Sequence, residues 1–87
     1  MSGHQQVMQF PMEFPVKVMG LNSEAFSAAV HAIVARHLKP GSFTISRRQS
    51  SADKYLSLTI TFMAESREQL DALYLELNRH ELVKMTL

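Results

Sequence analysis

Two groups of side chains in this sequence have the chemistry to bind a ligand or a partner. The first group combines two cations, a thioether and a glycine, and consists of Lys17, Met19, Gly20 and Lys84. The second group is basic and aromatic, and consists of Arg47, Arg48 and Tyr55. Cationic side chains recognise carboxylates and phosphates, often through charge-assisted hydrogen bonds. The first group therefore predicts a site for a small anionic ligand, and the second predicts a site that binds a partner.

Gly20 has two interpretations that stay open at this point. It follows an extended segment and precedes a helix start, where backbone N–H groups can receive an anion. A tight turn that needs a positive φ would use a glycine at the same place.

No combination of residues in the sequence predicts catalysis or metal binding. There are no cysteines, and of the four histidines His31 and His37 are six residues apart, which is about 240° around a helix. No serine stands at a nucleophile elbow with a histidine and an acid. We therefore expect no enzyme, no catalytic residue, no metal and no cofactor.

Length and charge exclude several further classes of protein. The 87 residues contain 46% hydrophobic and 20% charged residues, which is typical of one small globular domain. Nine basic and eight acidic side chains give a net charge of +1, which argues against DNA or an anionic membrane as a partner. No apolar run approaches the ~18 residues of a membrane span, and no signal-peptide pattern opens the chain. We expect a cytoplasmic protein.

The elements that must position the candidate residues follow from hydrophobic periodicity. Alternation with a period of two predicts strands near residues 14–19, 42–48, 55–62 and 83–87. Steps of three and four predict two amphipathic helices, one after a cap at Asn22 or Ser23 and one after Ser66. Residues 1–12 show no period and are predicted to be a flexible arm, which leaves 13–87 as a single domain.

The order β-α-β-β-α-β predicts an α+β fold, the ferredoxin-like plait. In this fold two right-handed crossovers place both helices on one face of a four-stranded antiparallel sheet with strand order 4-1-3-2. The other sheet face stays open, and alternation assigns to it hydroxyls and a few cations: Pro15, Lys17, Met19, Thr44, Ser46, Arg48, Tyr55, Ser57, Thr59, Thr61, Lys84 and Thr86. A merely solvated face would have much the same composition.

Three segments resemble the YbeD-like family of small uncharacterised bacterial proteins. FPVKVMG at 14–20 is similar to the family's opening motif, SSADKYLS at 50–57 to its central motif, and LVKMTL at 82–87 to its C-terminal motif. The spacing matches over about 13–87. One departure is Ala52-Asp53, where family members often have a glycine, so the type of turn at this hairpin is not fixed by the resemblance.

The resemblance implies an ACT-like regulatory fold, a bacterial origin and a cytoplasmic location. The family has no established activity, and some members are described as lipoate regulators, a label that rests largely on gene neighbourhood. Its motif residues fall on the first and last strands, which are neighbours in the plait. Lys17 and Lys84 are therefore expected to stand close together on the open face.

The leading hypothesis is a non-enzymatic regulatory module. It would bind a small anionic metabolite or a partner protein through the open face and the loop at Gly20, as a monomer or a weak homodimer. An alternative is a protein–protein adaptor that uses an exposed sheet edge. Weak RNA binding ranks third, because Tyr55 is the only aromatic on a face where RNA-binding plaits stack several bases.

Overall fold

A computed structural model describes residues 9–50 and 52–87, and its six elements follow the predicted order. They are β1 (Met12–Leu21), α1 (Glu24–His37), β2 (Phe43–Gln49), β3 (Tyr55–Ala64), α2 (Arg67–Arg79) and β4 (Val83–Thr86). The predicted arm, residues 1–12, lies mostly outside the described residues. Of its last residues, Phe10 packs against the core and Met12 already begins β1.

One antiparallel sheet with strand order β2-β3-β1-β4 forms the centre of the fold. This confirms the ferredoxin-like order 4-1-3-2, read from the opposite edge. Each helix begins at a serine, as the sequence predicts: Ser23 Oγ accepts from the backbone N–H of Phe26 at 3.1 Å, and Ser66 Oγ accepts from that of Gln69 at 3.0 Å. These bonds satisfy N–H groups that have no partner within the helix.

The core lies between the two helices and one face of the sheet. The strands contribute alternate residues, and the helices contribute one stripe each, as their periodicity predicts. Its largest fully buried side chains are those of Phe26, Ile33, Leu56, Leu58, Ile60, Leu73 and Leu77. No polar or charged residue among the described ones is buried, so the core has no chemistry of its own to offer.

A bulge in the pairing of β1 with β4 changes which residues of β4 reach the open face. Met19 pairs with Met85 but Gly20 pairs with Val83, so Lys84 is the extra residue. Residues directly opposite each other in an antiparallel pair share a face. Met85 therefore lies on the open face with Met19. Thr86 pairs with the buried Val18, which places it on the helix side.

The predicted open-face position of Thr86 is thus wrong. Its hydroxyl donates to Asn78 Oδ1 of α2 at 2.9 Å, a contact that only the helix side of the sheet permits. The residue that follows reaches the open face instead: Leu87 exchanges two backbone hydrogen bonds with Lys17, of 2.8 and 3.2 Å.

Gly20 lies within β1 and is buried, which corrects its predicted place in the loop before the first helix. It is not among the residues with a positive φ, so a tight turn is not its reason either. A Cβ at this position would lie 2.6 Å from the Leu82 carbonyl oxygen and 2.6 Å from the Phe26 ring. The close approach of these two groups therefore requires a glycine.

The hairpin between β2 and β3 turns at Asp53, whose φ of 55° is left-handed. Aspartate tolerates this region better than most residues, and glycine occupies it without strain. Ser50 Oγ accepts from the backbone N–H groups of Lys54 and Tyr55, at 3.1 Å each, and so fixes the turn. Asp53 can therefore stand in this turn, where members of the YbeD-like family often have a glycine, because it adopts the left-handed conformation that glycine adopts.

A candidate anion site on the open sheet face

A shallow cleft of about 260 Å3 lies on the open face where β1, β2 and β3 end near the hairpin. We call it the open-face cleft, and it is lined by Lys17, Met19, Arg48, Gln49, Ser50, Tyr55 and Ser57. The strand register explains the grouping, because Arg48, Ser57 and Met19 are paired in one row across three strands. Two predicted groups thus meet here in part: Lys17 and Met19 from one, and Arg48 and Tyr55 from the other.

The cleft is electropositive. Lys17 and Arg48 line it, and none of its lining residues carries a carboxylate. In the described part of the chain neither of these two side chains makes a salt bridge, whereas Arg36, His37 and Arg67 do. Glu13 holds the one acidic open-face position of the described strands, and it pairs with Met63 well away from Lys17. Two exposed cations that face the same space, with no carboxylate side chain in the lining, would favour a bound anion.

An aromatic ring closes the hairpin side of the cleft. Tyr55 is 40% exposed, and Lys54 Nζ lies 5.5 Å from the centroid of its ring, within cation–π range. Lys54 therefore adds positive charge beside the cleft. The Tyr55 hydroxyl and the Ser57 hydroxyl are among the donors that could hydrogen-bond an anion held by Lys17 or Arg48.

Lys84 does not join this site, and the expected proximity of Lys17 and Lys84 is wrong. Lys17 is bonded to Leu87, whereas Lys84 lies opposite the gap between Met19 and Gly20, so the backbones of the two lysines are offset along the strands by roughly 7–10 Å at ~3.3 Å per residue. The register is the cause, because Leu87 rather than Lys84 lies opposite Lys17, and the bulge leaves Lys84 unpaired between Val83 and Met85.

Arg47 is also separated from the predicted partner-binding group. It pairs with the buried Leu58, which directs it to the helix side of the sheet. There it lines a different cavity of about 480 Å3 with Asn22, Ser23, Glu24, Ser27 and Ala28, at the start of α1. Of the hairpin arginines, only Arg48 reaches the open-face cleft.

Next to the cleft lies an exposed apolar strip, which we define as Met19, Leu21, Tyr55, Met85 and Leu87. Leu21 is 45% exposed, Met85 51% and Leu87 64%. The register makes the strip continuous, because Leu21 pairs with Tyr55, Met19 with Met85, and Leu87 with Lys17.

The sequence contained a signal for one residue of this strip. If the alternation of the first strand is continued past Met19, it predicts Leu21 on the open face. The prediction that this strand ends at Gly20 excluded Leu21. No sequence signal marked the bulge that turns Met85 and Leu87 outward.

On the opposite side of the molecule a carboxylate joins the two helices. Glu76 of α2 accepts a hydrogen bond from Arg36 and another of 2.7 Å from His37 Nε2, both on α1. These bonds, with that of Arg36 first, lower the pKa of Glu76 below its usual value. The carboxylate of Glu76 is already paired with Arg36 and His37, so we interpret this cluster as a structural link between the helices.

Residues 9–50 and 52–87 also bear on metal binding and on membrane insertion. No three histidine or carboxylate side chains come together there as metal ligands would. Neither helix is long and apolar enough to cross a membrane.

Comparison with protein families matches residues 5–87 to the family described as "Protein of unknown function (DUF493)". Among curated relatives, a "UPF0250 protein" of Leptothrix cholodnii is 44% identical over 95% of this chain and 92% of its own length. A "UPF0250 protein" of Janthinobacterium sp. is 43% identical over the same shares. These relatives confirm the resemblance to the YbeD-like family.

Solved structures confirm the fold. The solution structure of a protein from H. pylori has a TM-score of 0.79 at 12% identity, and the match covers 98% of this chain and 90% of that one. The ACT domain of a GTP pyrophosphokinase from Chlorobium tepidum has a TM-score of 0.64 at 9% identity, over 87% and 95% of the two chains. At these identities the likeness concerns the fold alone.

Proposed function

The chain belongs to the DUF493 family of proteins of unknown function, and from that premise we propose that it is a non-enzymatic regulatory module whose open sheet face recognises a carboxylate. The carboxylate would bind in the open-face cleft, held by Arg48 and Lys17. The observation that carries this proposal is the pair of cations that line one cleft without any acidic residue. The ACT-like fold supports a regulatory rather than a catalytic role.

The size and chemistry of the cleft suit a small carboxylate. Its volume of about 260 Å3 is below the roughly 300–1,000 Å3 of sites that enclose drug-sized ligands. A small carboxylic acid, or one acidic side chain, fits within this space. Arg48 can hold both oxygens of a carboxylate at once, and Lys17 adds a point charge from the neighbouring strand row.

Calorimetric titration with small carboxylates tests the proposal. The panel contains amino acids, dicarboxylates and lipoate, with uncharged amides of the same compounds as controls. We expect at least one carboxylate to bind more tightly than its amide, and Lys17→Gln or Arg48→Gln to weaken that binding about tenfold, equivalent to ~1.4 kcal/mol. Lys39→Gln removes an exposed cation at the end of α1 and is the matched control. Equal affinities of all these variants would contradict the proposed site.

The outer edge of β2 supports a second candidate function, that of an adaptor. β2 spans seven residues and, within the described part of the chain, pairs only with β3, so no described strand lies beside its other edge. Such an edge can accept a strand from another chain. Light scattering distinguishes the cases in part: a stable dimer that Thr44→Pro abolishes would favour use of the edge. A monomer that binds carboxylates would favour the cleft.

A further inference from the structure

We propose that the apolar strip beside the open-face cleft binds an acidic amphipathic helix of a partner protein. This inference rests on the proposed function, because the acidic side chains of the helix would supply the carboxylates that Lys17 and Arg48 recognise. It names the source of those carboxylates as a macromolecule rather than a metabolite.

The first observation is the exposure of large apolar side chains in one continuous area. Leu21, Met85 and Leu87 are each close to half exposed or more, and they lie with Met19 and Tyr55 on the same side of the sheet. Surfaces that contact a partner bring apolar side chains together in this way, within a polar rim. Methionine suits this role because its flexible thioether adapts to the surface it meets.

The second observation is the charge around the strip. Lys17 and Arg48 lie along it, Lys54 stacks over Tyr55 at its hairpin end, and the strip contains no acidic residue. A partner that buries the strip must come close to these cations, so a basic partner would be repelled and an acidic one attracted. A second copy of this face would bring the same cations together, which disfavours a face-to-face dimer.

The dimensions fit one short helix. The strip spans three adjacent strands, about 10 Å across, and three rows of side chains, about 14 Å long. An α-helix is about 10 Å wide and rises ~1.5 Å per residue, so two to three turns cover this area. Apolar residues at steps of three and four would contact the strip, and acidic residues on the flank would reach Lys17 and Arg48.

Site-specific photo-crosslinking in the organism that encodes this protein tests the inference. Met85→benzoylphenylalanine and Leu87→benzoylphenylalanine place the probe at two positions of the strip, and Ala28→benzoylphenylalanine places it on α1 as a control. Circular dichroism first establishes that each variant folds. The crosslinked peptides are then sequenced by mass spectrometry.

We expect both strip positions, and not Ala28, to crosslink to a segment of another protein that has excess acidic residues and apolar residues at helical spacing. Lys17→Glu with Arg48→Glu should reduce this crosslink at least fivefold, while Lys39→Glu should leave it unchanged. A crosslink to a second copy of this chain, to a basic segment, or to no protein at all would overturn the inference.

The result separates this inference from the proposed function. If small carboxylates bind through Lys17 and Arg48 but the strip yields no protein crosslink, the cleft is a metabolite site and the helix inference fails alone. If an amphipathic helix crosslinks but is insensitive to both charge reversals, its acidic residues are not what Lys17 and Arg48 recognise, and the carboxylate proposal fails as well if no small carboxylate binds through these two residues. The predicted outcome requires both the crosslink and its dependence on charge.

Discussion

Gly20 shows how a single residue can be required by packing rather than by backbone conformation. Its φ is not positive, yet the Leu82 carbonyl and the Phe26 ring leave no room for a methyl group. A glycine at the end of a strand run is visible in the sequence, but the aromatic ring that packs on it is not. Residue type alone therefore suggested a loop.

Gly20→Ala should lower the free energy of unfolding by about 2–3 kcal/mol, because the new methyl group must displace backbone or a buried ring. Chemical denaturation measures the change. Gly41→Ala is the matched control: Gly41 has a φ of 80° and nothing within 4 Å, so only backbone strain of about 1 kcal/mol is expected. An equal loss for both variants would contradict the packing argument.

At the scale of elements, periodicity was enough to predict the order, the caps and the sheet topology. Ser23 and Ser66 cap the helices as their sequence positions indicate, and strand alternation identified the buried residues of β3. The last strand differs, because one extra residue at Lys84 reverses the alternation beyond it. A bulge depends on pairing with another strand, and no local residue pattern in β4 records it.

The bulge can be tested by a pair of lysine substitutions in β4. Met85→Lys should change the free energy of unfolding by less than about 0.5 kcal/mol, because Met85 is exposed on the open face. Thr86→Lys should cost about 1 kcal/mol or more, since it removes the hydrogen bond to Asn78 on the helix side. Uninterrupted alternation predicts the reverse order, so a larger loss for Met85→Lys would rule out the bulge.

The link between α1 and α2 predicts a dependence of stability on pH. The folded state lowers the pKa of Glu76, first through the hydrogen bond from Arg36, so the stabilising contribution is present above the unfolded-state pKa. It is lost as the pH falls through the lower, folded-state pKa. Thermal unfolding between about pH 7 and pH 3 should therefore show a smaller acid-induced loss for Glu76→Gln than for the natural sequence. Parallel curves would show that the link does not contribute.

At the scale of the whole molecule, a net charge of +1 conceals two surfaces of opposite sign. Residues 65–81, which include α2, contain five acidic and two basic side chains. The open-face cleft, on the other side of the sheet, is lined by two cations and no acid. Composition alone indicated that no polyanion was a partner. The fold adds that an acidic partner has one preferred side from which to approach.

The most direct measurement of the central claim is an amide NMR titration with the best carboxylate from the calorimetric panel. The largest shifts should fall on Met19, Arg48 and Ser57, around the open-face cleft, and should diminish as salt is raised. Arg48→Gln should suppress them. Shifts confined to the start of α1 near Arg47, or to the helix face around Glu76, would contradict recognition of the carboxylate by the open sheet face.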